Sequence, residues 1–339
     1  MDRVYENIVT ILEDLEGSLN SESEGQQRIY RRMDLERETG IRLSCASPGA
    51  VWELLIEAGG ADDKIEISFP RWKGMNFDVL TLDVPTKRIK HIRLFLDKKE
   101  SRDIFVTVCA DLVRGLEVCL SNESRRKEIA DFLFRWSRFF ERYGEVGLSS
   151  ERQRGLYGEL WWLRRMIEAG IEPAACIGSW KGCGRAYHDF QIEGHIVEVK
   201  TTMTKEPREV VINNERQLDD RGLSSLHLLV VTLLKVDGQG ETLTEIVNSL
   251  RESFVSRSSL IYFFESSLRE SGYLDIHSHL YNDSYVVNKE ELFRVGDGFP
   301  RIIEIPQGLG NIRYSLVIAA CRPFLFEPSE YLKTIKGVI

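Results

Sequence analysis

The chain has 339 residues, a net charge of −8 and an apolar share of 42%. That length suggests two domains, or one with large additions, and the apolar share is ample for a packed core. The acidic balance argues against an obligate, high-affinity, nonspecific binder of nucleic acid, since such affinity comes from Lys and Arg neutralising phosphates; a local basic strip stays compatible with it.

Six cysteines, Cys45, Cys109, Cys119, Cys176, Cys183 and Cys321, form no CxxC pair. They predict reduced thiols in a cytoplasmic protein and no zinc site. The polar, acidic start is unlike a signal peptide. No apolar run approaches the roughly 20 residues of a membrane span, so a membrane is not an expected partner.

Residues 3–19 predict an amphipathic helix with Val4, Ile8, Ile11, Leu12 and Leu15 on one side. A polar loop follows at 20–27, and 28–40 is charged and ambiguous. From 41 the pattern predicts short strands at 41–45, 51–57, 64–69, 77–84, 89–96, 103–110 and 113–119, an antiparallel sheet or partial barrel. His91 stands alone and reads as structural. Arg71, Trp72 and Lys73 fit a surface turn better than a nucleic-acid grip. Residues 123–143 predict a helix with a wide apolar stripe and an arginine-rich remainder. Glycines at 144 and 147 break it, which divides the chain into a β-rich N-terminal domain with flanking helices, 1–147, and a second domain, 148–339.

The second domain opens on a helix at 150–169. Ser150 and Gln153 fit a capping box, and Leu156, Leu160, Leu163 and Ile167 define a core face. Glu159 lies on or beside that face, where a carboxylate is costly unless paired or metal-bound; an arginine partner such as Arg154 or Arg164 is the plain alternative. Residues 170–185 predict a loop, in which Trp180, Lys181 and Arg185 are candidates for stacking and phosphate contact. Trp180 packed under the sheet is the competing reading.

Residues 186–201, AYHDFQIEGHIVEVKT, predict a β-hairpin turning at Glu193-Gly194. With a two-residue loop Ile192 pairs with His195, and counting back sets Asp189 opposite Glu198, with Cβ atoms about 5 Å apart. Two such carboxylates repel unless a cation lies between them. A hard divalent ion resolves this: Mg²⁺, with Mn²⁺ able to substitute. Lys200, on the face of Glu198, could orient or deprotonate a water or hold a phosphate oxygen. The hairpin thus proposes metal-assisted phosphodiester hydrolysis, against a surface charge ladder of the kind seen at Asp62/Lys64 and Asp97/Lys99. Beyond it, 209–213 predicts a strand, 214–221 a helix start, 226–236 a strand buried on both faces, and 242–255 and 258–271 helices. Strands are expected near 283–288, 301–305 and 312–321. His277 and His279 would share a face on a strand, but no third ligand is evident.

Gly-Glu-Leu at 158–160, His-Asp-Phe at 188–190 and Glu-Val-Lys at 198–200 together resemble the PD-(D/E)XK nuclease superfamily. With Trp180-Lys181-Gly182 and Glu215-Arg216-Gln217-Leu218, the frame is similar to bacterial PD-(D/E)XK motif proteins encoded beside restriction or phage-defence genes. The motif's proline is absent, since Tyr187 and His188 precede Asp189. The resemblance implies an α/β (α+β) fold with a restriction-endonuclease-like core behind the β-rich N-terminal domain. It implies Asp189 and Glu198 as metal ligands with the Val199 carbonyl, Lys200 as the catalytic lysine, Glu159 as an outer ligand and Gln217 as a polar residue near the site. The expected activity is Mg²⁺-dependent cleavage of DNA by a homodimer or with a partner protein, such as a methyltransferase or helicase/ATPase of a defence locus. A non-catalytic DNA-binding or structural subunit is the alternative, and a protein-interaction scaffold a third.

Overall fold

The computed structural model describes residues 3–19, 27–33, 40–64, 67–72, 74–84, 87–143, 147–182, 187–203, 206–236, 238–254 and 257–338. The chain divides into two compact units, Met1–Glu145 and Val146–Ile339. Helices and mixed sheets make it an α/β protein with a β-rich N-terminal region. Among the described residues no helix is long and apolar enough to cross a membrane.

In the first unit, helix α1 (Arg3–Ser18) buries Ile8, Ile11, Leu12 and Leu15, the stripe its sequence repeats at helical spacing. Strands β1 (Arg28–Arg32), β2 (Ile41–Ala46), β3 (Val51–Gly60), β4 (Met75–Val84) and β5 (Lys87–Leu96) form an antiparallel sheet ordered β1-β2-β3-β5-β4. The strands expected at 103–110 and 113–119 are instead one helix, α2 (Arg102–Glu117). Its run of Ile, Val and Phe suggested strands, but Phe105, Val108, Cys109, Leu112 and Leu116 recur at three and four and are all buried. No strand forms over residues 67–69. Trp72 is core rather than a surface turn: it packs on Phe77, Phe132 and Phe140 and donates to Ser137 Oγ at 3.1 Å. The last two rings come from helix α3 (Asn122–Tyr143). His91 is buried against Arg42, with Nε2 2.8 Å from Arg42 Nη1.

The second unit begins with helix α4 (Ser150–Glu168). Its cap falls one residue earlier than the capping box suggested: Ser149 accepts from Arg152 N, and Gln153 Nε2 donates to the Leu148 carbonyl. Part of the expected loop at 170–185 is a short helix, α5 (Pro173–Ser179), started by Pro173 with Glu172 as cap. Then come β6 (Phe190–Ile192), β7 (His195–Met203), β8 (Glu209–Ile212), β9 (Ser225–Lys235), β10 (Glu241–Thr242), α6 (Leu243–Phe254), α7 (Ser258–Glu270), β11 (Ser284–Val295), β12 (Tyr314–Val317), β13 (Leu325–Phe326) and α8 (Pro328–Val338). The main sheet is ordered β10-β11-β9-β7-β6, with β13 on β11. β7 and β9 are parallel and the other pairs antiparallel, so β9 at the centre is buried almost throughout.

One face of this sheet carries Ile196, Leu226, Leu228, Val230 and Phe293, packed with Val210 and Ile212 of β8 and Leu316 of β12. Helix α4 packs on β7 from the other face, with α6 beside it. Residues 301–305 form no strand, and 318–321 is a helical turn rather than the end of a strand. His277 and His279 lie on a 3-10 turn, one buried and one exposed, so they share no strand face.

Candidate active site

Strand length creates the site. Glu193 and Gly194 have φ of 44° and 80°, so both central turn residues are left-handed, as a two-residue hairpin loop requires. Ile192 therefore pairs with His195, Gln191 with Ile196 and Phe190 with Val197. There β6 stops, after three residues, while β7 runs on. Asp189, expected in the ladder opposite Glu198, sits just outside it and turns its carboxylate to the strand edge, where Oδ2 accepts from Val199 N at 2.8 Å. The backbone N–H and C=O of a strand residue point to the same side, so the Val199 carbonyl faces that edge too. Asp189 is fixed from behind, its own carbonyl accepting from Lys181 N at 2.8 Å.

Alternation along β7 puts Glu198 and Lys200 on one face. Glu198 is fully buried. Its Oε1 accepts from Lys200 Nζ and from Gln217 Nε2, each at 2.7 Å. Gln217 is aimed by its other end, where Oε1 accepts from Asn213 N at 2.9 Å. Glu198 Oε2 is buried and without a hydrogen-bond partner among the described residues.

Glu159 arrives on α4 from the opposite face. Gly158 lets the helix come that close, since a Cβ there would collide with the Thr201 methyl on β7. The buried Glu159 carboxylate is held by Trp180, whose Nε1 donates to Oε2 at 2.7 Å. Of the two arginines named for it, Arg164 is bound to Glu241 at 2.6 Å.

The electrostatics follow. Burial, and then the Asp189 charge, hold Glu159 well above the ordinary carboxylate range; the Trp180 hydrogen bond opposes this and Glu198 adds to it. Burial first and Asp189 second push Glu198 up to about 8. Burial raises Asp189 against the pull of Lys200 and the Val199 N–H. For Lys200, burial works against the ammonium, but Glu198 and Asp189 outweigh it and the pKa is raised. Three carboxyl groups and one ammonium lie within electrostatic range of one another, more acid than one cation balances without protonation or a further cation.

Among the described residues no group of three His, Cys, Asp or Glu side chains is placed to hold a metal ion. Mg²⁺ needs none, since it is held by one or two carboxylates and keeps its waters. The oxygen donors here fit such an ion. Glu198 Oε2 is a buried acceptor without a hydrogen-bond partner among the described residues, and Asp189 and the Val199 carbonyl line the same edge.

The structure thus gathers Glu159, Asp189, Glu198, Val199, Lys200 and Gln217 at one place. The three residues expected to touch DNA fare differently. Trp180 is 3% exposed and packs on Phe264, so its ring is not offered for stacking. Lys181 is exposed, with Nζ on the Gly178 carbonyl. Arg185 lies outside the described residues. The sequence reading missed the Trp180 bond to Glu159, for which a separation of 21 residues leaves no local signal. It also missed Gly158, whose signal was present: a glycine inside a strong helix marks a close approach.

The sequence profile of a family described as "Putative PD-(D/E)XK family member (DUF4420)" matches residues 15–319. The chain belongs to this family, and its mixed sheet flanked by helices agrees with a PD-(D/E)XK-like, nuclease-type fold. No curated protein and no solved structure matches it.

Proposed function

We propose that this protein is a metal-dependent endodeoxyribonuclease that hydrolyses DNA phosphodiester bonds in bacterial restriction or phage defence. The observation that carries the reading is the buried Oε2 of Glu198, without a partner among the described residues, in a chain of a PD-(D/E)XK-like family. Asp189, Glu198 and the Val199 carbonyl would hold Mg²⁺ or Mn²⁺, with Glu159 as outer ligand. A divalent ion supplies Lewis acidity at a phosphoryl oxygen. The chain's own groups do the rest. Lys200, fixed on Glu198, presents an ammonium that orients the attacking water or steadies charge developing on the phosphate. Gln217 keeps Glu198 in one rotamer, and Trp180 does the same for Glu159. Cleaving both strands of a duplex calls for two such sites, hence a two-fold homodimer or a partner such as a methyltransferase or helicase/ATPase.

The net charge of −8 favours a second reading, a non-catalytic subunit of a defence complex. Arg164 and Arg165 on the site helix lean the same way, being tied to Glu241 and Glu290. Plasmid DNA incubated with Mg²⁺, Mn²⁺ or EDTA, using wild type beside Lys200→Ala, decides between them. Metal-dependent nicking that Lys200→Ala abolishes supports the nuclease. Inert wild type that still binds Mn²⁺ calorimetrically, through Asp189, points to a site awaiting a partner or a modified substrate. Inert wild type that binds no Mn²⁺ leaves the structural subunit.

A further inference from the structure

Beside the carboxyl cluster, Arg216 faces solvent. The 3-10 turn Glu215–Leu218 deals its side chains in different directions. Glu215 turns in to accept from Ile312 N at 2.8 Å, Leu218 is buried, and Gln217 reaches Glu198. Arg216 points out. Its guanidinium lies 4.8 Å from the centroid of the Tyr187 ring and donates to the Tyr187 hydroxyl. Tyr187 is 51% exposed. The pair is built into the site: Tyr187 is two residues before Asp189, and Arg216 is next to Gln217, which reaches Glu198.

Arg216 differs from its neighbours. Arg221 is bound by Asp219 and Arg301 by Asp220, while Arg216 has no carboxylate partner among the described residues. An aromatic face holds a guanidinium without neutralising it, leaving its remaining donors free for an anion.

We infer that Arg216, braced on Tyr187, grips a backbone phosphate of the nucleic acid next to the scissile one. This rests on the nuclease reading and adds a positioning residue to it. The contact is sequence-independent and serves binding, so it acts on KM rather than kcat.

The test is anisotropy of a fluorescein-labelled duplex oligonucleotide with the full chain. The parent is Lys200→Ala with Mg²⁺, so that nothing is cut, and KCl is varied between about 50 and 200 mM. Adding Arg216→Ala should weaken binding several-fold and flatten the log–log salt slope by about 1. Arg216→Lys should keep the slope but regain only part of the affinity. Tyr187→Leu should weaken binding when Arg216 is present and do nothing further once it is gone. If Arg216→Ala melts early, Arg216→Gln carries the same slope test. An unchanged slope and affinity without the Arg216 charge overturn the inference, as does full affinity with Tyr187→Leu. If wild type binds and cuts DNA while Arg216 is silent, this inference alone fails. If neither wild type nor the Lys200→Ala parent binds duplex, this inference fails, and the Mn²⁺ titration decides the nuclease reading separately.

Discussion

Each unit of this molecule buries a glutamate completely, and the two are treated in opposite ways. Glu53, on β3, is enclosed by donors. Arg28 Nε reaches Oε2 at 2.7 Å, Arg93 Nη1 reaches Oε1 at 2.8 Å, and the Ser44 hydroxyl adds a third bond. Glu198, on β7, has one oxygen shared by Lys200 and Gln217 and another with no partner among the described residues, beside two further carboxyl groups. Burial alone says little about function. Glu53 is a finished network that ties four strands together, whereas Glu198 is an unfinished one that a cation would complete.

The contrast can be broken at either end. Glu198→Gln should abolish metal-dependent cleavage, a loss of at least about 100-fold, yet leave the metal-free melting temperature unchanged or higher, because one of three crowded carboxyls has gone. Mn²⁺ at 100 times its Kd should stabilise wild type by about 2.7 kcal/mol and this variant scarcely at all. Glu53→Ala strands two arginines and should cost about 3 kcal/mol in chemical denaturation, with no dependence on metal. If the two substitutions behave alike, the distinction between finished and unfinished networks is wrong. Gly158→Val tests how the site is assembled. Forcing α4 off β7 should cost about 1–3 kcal/mol and weaken metal binding as Glu159 retreats, while Trp180→Phe should cost about 1 kcal/mol with the fold intact. The last effect is a pH response, seen only in acid. His227 is buried between Phe326 and Tyr331, with both ring nitrogens unpartnered among the described residues. Burial first, and then the Arg294 charge, lower its pKa from 6.5 to about 4. A depressed pKa gives stability that is complete above 6.5 and lost as the pH falls towards 4. His227→Phe should flatten the melting temperature across that window.

Much of the site is short-range, which is why the sequence exposes it. Glu193-Gly194 sets the hairpin register within a few residues, and period-two alternation then places Glu198 with Lys200. Glu159 stands out as an acid on an apolar helical stripe. What escaped is what local pattern cannot carry. Helix α2 is rich enough in Val, Ile and Phe to mimic two strands, and only its packing picks the period. Asp189 falls outside the ladder because β6 ends at Phe190, a limit set by Trp180 bridging to Phe190 and Lys181 N taking the Asp189 carbonyl. The Glu159–Trp180 bond joins residues from different elements, and nothing in either segment announces the other.

The two left-handed turn residues have a consequence for how such proteins change over generations. One residue inserted between Ile192 and His195 would slide one arm past the other and swap the face that every side chain in it presents. Asp189, Glu198 and Lys200 would all still be present, in order and in a folded sheet, yet no longer converge. An ancestral catalyst could retire into a passive role by that route without losing a single signature letter. In comparing related chains, the length of this turn is therefore a sharper sign of competence than the letters on either side of it.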